Sequence, residues 1–257
     1  PPPAASYAQA QQLLERLGAL RKQADGGWKL TAHGEAMAQL PAHPRIAHLL
    51  LRGHDVGLTE MACDVAALLG ERDIVRGAGA DVHSRLALLS GDTRAARGGQ
   101  GGVQRAKQLA RQYRSSLRGK PTQAVADPDH PRWLGALLAL AYPDRIAQQR
   151  KPGGAEYRLA NGRAALFSEV DALMKHPWLV IADLGSRQGQ REERIYLAAE
   201  FDPGLLDGVL SEQVSVVDQL DWDEREGVLR AERQRKVGEL VLSREPLTGR
   251  DEAARTQ

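Results

Sequence analysis

Near residue 148 the apolar rhythm of the chain changes. Before that point apolar residues recur every three or four positions; after it they recur every second position. A chain with that break builds helices first and strands afterwards, so it reads as an α+β protein of several parts. Its 257 residues suffice for two or three small cores.

The helical part begins with Ala10, Leu13, Leu14 and Leu17, spaced as one buried stripe and closed by Gly18. "DGGWKL" then reads as a turn with a short extended piece. Thr31 is placed to cap a second helix carrying Ala36, Met37 and Leu40. Helix, short strand pair and helix make a degenerate winged-helix-like unit over residues 1–44. Pro41 and Pro44, with His43 and Arg45 around them, form a stiff joint to the next part.

Residues 45–147 read as a helical bundle. "LTEMACDVAALLGE" starts with Thr59 as an N-cap and sends Met61, Val65, Leu68 and Leu69 inward. "RGGQGG" reads as a flexible loop ahead of "VQRAKQLARQYRSSLRGK". There Val103, Ala106, Ala110, Tyr113 and Leu117 make one stripe, while Lys107, Arg111, Arg114 and Arg118 make the adjacent one. Arg105 and Lys120 flank that basic row.

Charge is segregated along the chain. Between Arg85 and Lys120 nine Arg or Lys face one acid, Asp92; between Asp218 and Glu226 five acids face only Arg225. That pattern suits a chain meeting a polyanion on one surface. The competing reading of the basic row is a solvated helix face, although such faces normally mix signs.

Residues 148–247 carry the strands: "AEYRLANGRAALF", "PWLVIADL", "ERIYLAAEF", "EQVSVVDQL" and "GVLRAERQRKVGELVLS". Asn161-Gly162 predicts a tight hairpin with positive φ at both positions. The strands suit a small antiparallel OB-like barrel. Alternation alone does not assign Tyr157, Phe167, Trp178 and Tyr196 to its core or to a base-stacking surface. Residues 248–257 read as a polar tail.

Covalent chemistry finds little support. Gly119-Lys120 is followed by Pro121 and lacks the earlier glycine of a phosphate loop. His43, His48 and His54 are spaced five and six apart, not the four that places two ligands on one helix face. No G-x-S-x-G elbow occurs, and "DPDHP" and "DWDERE" read as turns. Cys63 sits in an apolar run as a core thiol, and a lone cysteine fits a reducing cytoplasm. No apolar run reaches the roughly 18 residues of a membrane span.

Two elements resemble a known family. "LTAHGEAMAQLPAHPR", and "AYPDRIA" followed by "YRLANGR", are similar, in this order, to the region after the RecA-like motor pair of DEAH-type helicases, in the bacterial HrpB branch. The resemblance runs from about Leu13 to Leu247. It implies a winged helix, a ratchet-like bundle and an OB-like barrel flanking a channel for single-stranded nucleic acid. Under it Arg105, Lys107, Arg111, Arg114, Arg118 and Lys120 are expected to track phosphates, with Arg158 and Arg163 on the neighbouring barrel wall.

The expected partners are single-stranded RNA (or DNA) and the RecA-like motor domains of the same chain, in the cytoplasm and without a membrane. Neither a Walker loop nor a D-E-x-H element is present, so the sequence reads as an excised accessory fragment without ATPase activity. No cofactor is expected here; ATP and magnesium belong to the motor domains. The alternative is a stand-alone winged-helix and barrel adaptor that binds proteins. A native gene product carrying upstream GKT and DEAH-like motifs favours the first reading, and a complete reading frame of this length favours the second.

Overall fold

The computed structural model describes residues 3–71, 79–91, 100–185, 193–223 and 228–247. The tail from 248, loop residues 97–99, and Glu224 and Glu226 of the acidic stretch lie outside them. Among the described residues there are seven α-helices and ten strands.

Helix α1 (Ala4–Arg16) leads through Gly18, at φ +68, into the hairpin β1 (Leu20–Lys22) and β2 (Trp28–Leu30). Helix α2 (Ala32–Ala38) follows, capped by Thr31, whose hydroxyl oxygen accepts from the Gly34 N–H at 3.0 Å. The same hydroxyl donates to the Gly18 carbonyl at 2.6 Å, tying helix start to hairpin. A Cβ on Gly34 would overlap the Ala19 carbonyl oxygen, so the glycine of "LTAHG" is what lets α2 lie against the chain before β1.

Helix α3 (Pro44–Asp55) starts with proline at its first position, where no N–H is needed. Its buried side carries Ile46, Ala47, Leu49 and Leu50. Arg45 explains the stiff joint. Its guanidinium donates to the Ala141 carbonyl at 2.8 Å and to both carboxylate oxygens of Asp144, at 2.6 and 3.1 Å. Arg45 and Arg145 both stand over the Tyr142 ring, their guanidinium carbons 5.1 and 4.7 Å from its centre. "HPR" and "YPDR", 99 residues apart at the ion pair, therefore meet in one cluster. Burial alone would push the Asp144 carboxyl up, but the Arg45 hydrogen bonds and charge, with Arg145, hold it below the usual carboxylate range.

The bundle continues with α4 (Thr59–Gly70), α5 (Val82–Leu89), α6 (Gln100–Ser116) and α7 (Arg132–Ala141). Thr59 is not the cap of α4: it is already helical, Leu58 occupies the cap, and the Thr59 hydroxyl meets His54 Nδ1 at 2.8 Å. Gly101 and Gly102, expected in a loop, open α6. Every residue of α7 from Trp133 to Ala141 is buried, because the helix lies between α3 and α4 on one side and the strands on the other.

Strands β3 (Ile146–Gln149), β4 (Glu156–Leu159), β5 (Ala164–Leu166), β6 (Trp178–Gly185) and β7 (Glu193–Glu200) close a barrel in the order β3-β4-β5-β7-β6. The pairings are antiparallel except β5 with β7. Tyr157, Leu159, Phe167, Leu179, Ile181 and Ile195 fill its interior. The strands β8 (Val214–Asp223), β9 (Val228–Val237) and β10 (Leu240–Pro246) are not part of it. They form a separate antiparallel sheet, so the barrel expected over 148–247 closes within 146–200. Strand alternation is the same in both sheets and does not reveal which strands close on each other.

The β4–β5 hairpin is real, but its turn differs from the expected one. Only Gly162 has positive φ, +84, while Asn161 accepts from the Arg163 N–H through its side chain at 2.9 Å. The Gly162 N–H bonds the Leu159 carbonyl and the Leu159 N–H bonds the Arg163 carbonyl, giving a three-residue loop with a left-handed glycine.

A second tie joins bundle to barrel. Just ahead of α5, Ala80 donates its N–H to Asp171 at 2.7 Å and accepts from the Ala198 N–H at 2.8 Å, while Asp81 bridges Ala198 in parallel. Buried Arg85 braces this strap by donating to the carbonyls of Gly79 and Asp81.

Candidate nucleic-acid interface

Helix α6 turns its small and aromatic residues, Ala106, Ala110 and Tyr113, onto α4 and α5, with Val103 and Leu117 half-buried at the edge. That burial sets where the basic row points. It also brings the row alongside three acids of the α4 segment that no spacing within α6 reveals. Arg114 donates to Asp64 at 2.6 Å and pairs with Glu60, and Arg105 meets Glu71 at 3.0 Å. Burial raises the Asp64 carboxyl above its usual range, with the Arg114 charge and hydrogen bond and the nearby Lys107 ammonium opposing the rise.

The row of four cations is thus broken. Arg114 is held by carboxylates and Lys107 is half-buried beside Asp64. Arg118 and Lys120 lie past the helix, which ends at Ser116, as the chain turns at Gly119 with φ +92. Arg111, Arg118 and Lys120 are exposed and have no carboxylate partner among the described residues. The sign-mixing expected to be missing from this face is supplied by the neighbouring helix.

Arg158 stands on the outer barrel wall, register partner of Gln148, with its neighbours Tyr157 and Leu159 turned inward. It lines a groove of about 420 Å³ with Gln148, Ser243 and Arg244. Strand β10, and not α6, forms the other wall of that groove. Arg163 is tied to Glu193 at 2.7 Å across the β5–β7 edge. The predicted cations therefore fall into two groups, one on the bundle and one on the barrel. Of the four aromatics left open, Tyr157 and Phe167 are core and pack edge to face, Trp178 is half-buried, and Tyr196 is 50% exposed.

A cleft of about 670 Å³ opens where α1, α3, the barrel and the β9–β10 turn converge. Sequence reasoning missed it because its walls come from segments more than 200 residues apart. Its lining includes His33, His48, Arg52, Glu212 and Gln213. Arg52 pairs with Glu212, and Gln213 donates to the Ala139 carbonyl at 3.2 Å.

His33 Nε2 and His48 Nδ1 lie 2.8 Å apart, and His48 also bonds the Leu17 backbone. At the contact between the two rings one nitrogen donates and the other accepts, an arrangement that two neutral imidazoles meet and two protonated ones do not. Burial, with His33 and Arg52 nearby, pushes His48 down to about 3, and burial lowers His33 as well. The unfolded chain takes up the His48 proton near pH 6.5, and the folded one takes it up only far below that. The stability His48 contributes is thus full above about pH 6.5 and falls as pH drops below it, by up to about 1.4 kcal/mol per pH unit, and the lowered His33 acts in the same direction. A melting series from pH 7.5 to pH 5 is expected to show this fall, shallower in His48→Gln; equal slopes would remove the buried pair as its cause.

Comparison with known proteins gives one consistent result. A family model described as "ATP-dependent RNA helicase HrpB, connector region" matches residues 213–247, the last sheet. ATP-dependent RNA helicase HrpB of Escherichia coli K12 is 30% identical over 246 residues, covering 96% of this chain and 27% of that protein. The crystal structure of the E. coli DExH-box NTPase HrpB superposes with a TM-score of 0.73 at 31% identity, covering 98% of this chain and 28% of the other. A crystal structure of the E. coli DEAH/RHA helicase HrpB gives 0.69 at 28% identity, covering 96% and 28%. The chain spans just over a quarter of the length of these relatives. In sequence and in fold alike, the chain is homologous to a C-terminal region of HrpB-type helicases.

Proposed function

We propose that the chain is the nucleic-acid-guiding accessory region of an ATP-dependent RNA helicase of the HrpB type, acting in the cytoplasm beside RecA-like motor domains. Residues 1–44 serve as the winged-helix unit and 45–147 as the ratchet-like bundle, with an OB-like barrel after them. The β3-β4-β5-β7-β6 order, with its one parallel pair, supports the last name. The observation that carries the reading is the run of exposed cations Arg111, Arg118 and Lys120, without carboxylate partners among the described residues, in a chain homologous to HrpB. Arg105, Arg114 and Arg163, already paired, position those elements; Lys107 and Arg158 flank the track.

Three phosphate contacts to a single strand give a slope near −2 in log affinity against log salt, so binding falls roughly 20-fold between 50 and 200 mM. Fluorescence anisotropy with labelled 20-nucleotide oligo-U is the measurement. Arg111→Glu, Arg118→Glu and Lys120→Glu together should remove most of that dependence. Binding indifferent to salt, or unaltered by the triple change, would sink the proposal.

The adaptor reading keeps one supporting observation. Val216, Leu220 and Trp222 stand exposed on one face of the edge strand β8, an apolar strip suited to a protein partner. It gains if the chain binds neither oligo-U nor a purified RecA-like motor pair.

A further inference from the structure

The sequence marks the hairpin β1–β2 by its turn and not by its charge, yet it carries three of the chain's exposed cations. Arg21 and Lys29 are direct register partners, so their side chains share one face, with Cβ atoms about 5 Å apart. Like charges in that relation destabilise a strand pair unless something offsets them. Nothing among the described residues does: neither Arg21 nor Lys29 has a carboxylate partner. The acid of the intervening turn, Asp25, spends its Oδ1 on the Gly27 N–H at 2.8 Å. The two cations border a depression of about 290 Å³ whose remaining walls are Leu30, Thr31 and Ala32. Leu30 is 48% exposed, and Lys22 is the register partner of Trp28 next along the hairpin.

Resting on the reading above, we propose that this hairpin is a second contact for the nucleic-acid backbone. Arg21 and Lys29 clasp one phosphate between them, which cancels their mutual repulsion. Lys22, on the opposite face by strand alternation, reaches round the hairpin edge to an adjoining phosphate, and Leu30, which lines the same depression as the clasp, lies against the sugar or base that follows. The apolar wall is what favours a strand over a free phosphate ion, which offers Leu30 nothing to cover it.

The test compares the parent chain, Arg21→Gln/Lys22→Gln/Lys29→Gln, and the α6 triple variant, all by anisotropy with the labelled oligo-U. The hairpin variant should bind roughly tenfold more weakly at 50 mM salt, with a salt slope shallower by about 1.4, the value for two phosphates on a single strand. Its melting temperature should equal or exceed the parent's, since a repulsive surface pair is removed and no packing is lost. If it binds like the parent while the α6 variant is weakened, the hairpin contact is overturned and the helicase reading stands. If the parent binds no oligo-U, both are overturned. A last arm reads protection of Lys22 and Lys29 from acetylation. Protection by tripolyphosphate equal to that by oligo-U, at matched phosphate, overturns the strand contact in favour of a simple anion pocket.

Discussion

Arg45→Met is expected to lower the unfolding free energy by about 3–5 kcal/mol, the usual result of leaving a buried charge without its partner. Both members of the pair are well covered, at 14% and 16% side-chain exposure. The lost guanidinium also leaves the Ala141 carbonyl short of a donor and takes one cation from the Tyr142 ring. Arg145 remains and is committed to the Ala182 carbonyl at 2.8 Å, so it compensates only in part.

For a chain of this size the loss corresponds to a fall in melting temperature of about 10 °C. The sign with pH is specific. In the parent, the depressed Asp144 contributes stability above the unfolded carboxylate range and loses it as pH falls through its folded value. In the variant, burial acts on Asp144 with less opposition, so it takes up a proton at higher pH and the deficit shrinks toward pH 4. Asp144→Asn added to Arg45→Met should recover part of the loss. A melting point within 2 °C of the parent at pH 7 would mean that solvent already screens this joint.

Gly135→Ala is the second large effect, and here the sign is the test. On an exposed helix this change stabilises by about 1 kcal/mol through propensity. On α7 the added methyl would overlap the Glu200 carbonyl oxygen and crowd Phe201 Cα, both backbone of the strand leaving the barrel. Neither can step aside as a flexible side chain would. Over-packing of this kind costs typically 1–3 kcal/mol, so thermal unfolding should move down by several degrees despite the better helix former. Gly135→Val should do worse. A rise in melting temperature for the alanine variant would mean that helix and barrel are not in backbone contact at Gly135.

Much of the helical architecture was legible because a buried stripe is a local pattern. The α6 stripe packs as its spacing predicts, and Thr31 caps α2 as a hydroxyl at that place should. What eluded sequence reasoning depends on neighbours distant along the chain. Arg114 and Asp64 are 50 residues apart, so packing of α6 on α4, and no spacing within α6, decides which cations are neutralised. Arg118 fell out of its row because the helix stops at Ser116, ahead of Gly119 and Pro121. Asn161 was given a left-handed conformation that its side-chain bond to Arg163 makes unnecessary. Alternation in β8–β10 was read as barrel strand, since it reports one covered face and not what covers it.

The strap at Ala80 bears on how force would travel through such a region. The Ala198 amide and the Asp171 carboxylate grip the same residue from two barrel elements, and Arg85 holds that residue's flanks from inside α5. Sliding α5 along the barrel by even one residue would have to rupture both barrel bonds at once, while the Arg85 bonds, internal to the helical segment, keep the strap from unravelling. A pull exerted on the helices is therefore felt by the barrel without slack, as between two gears cut from one blank.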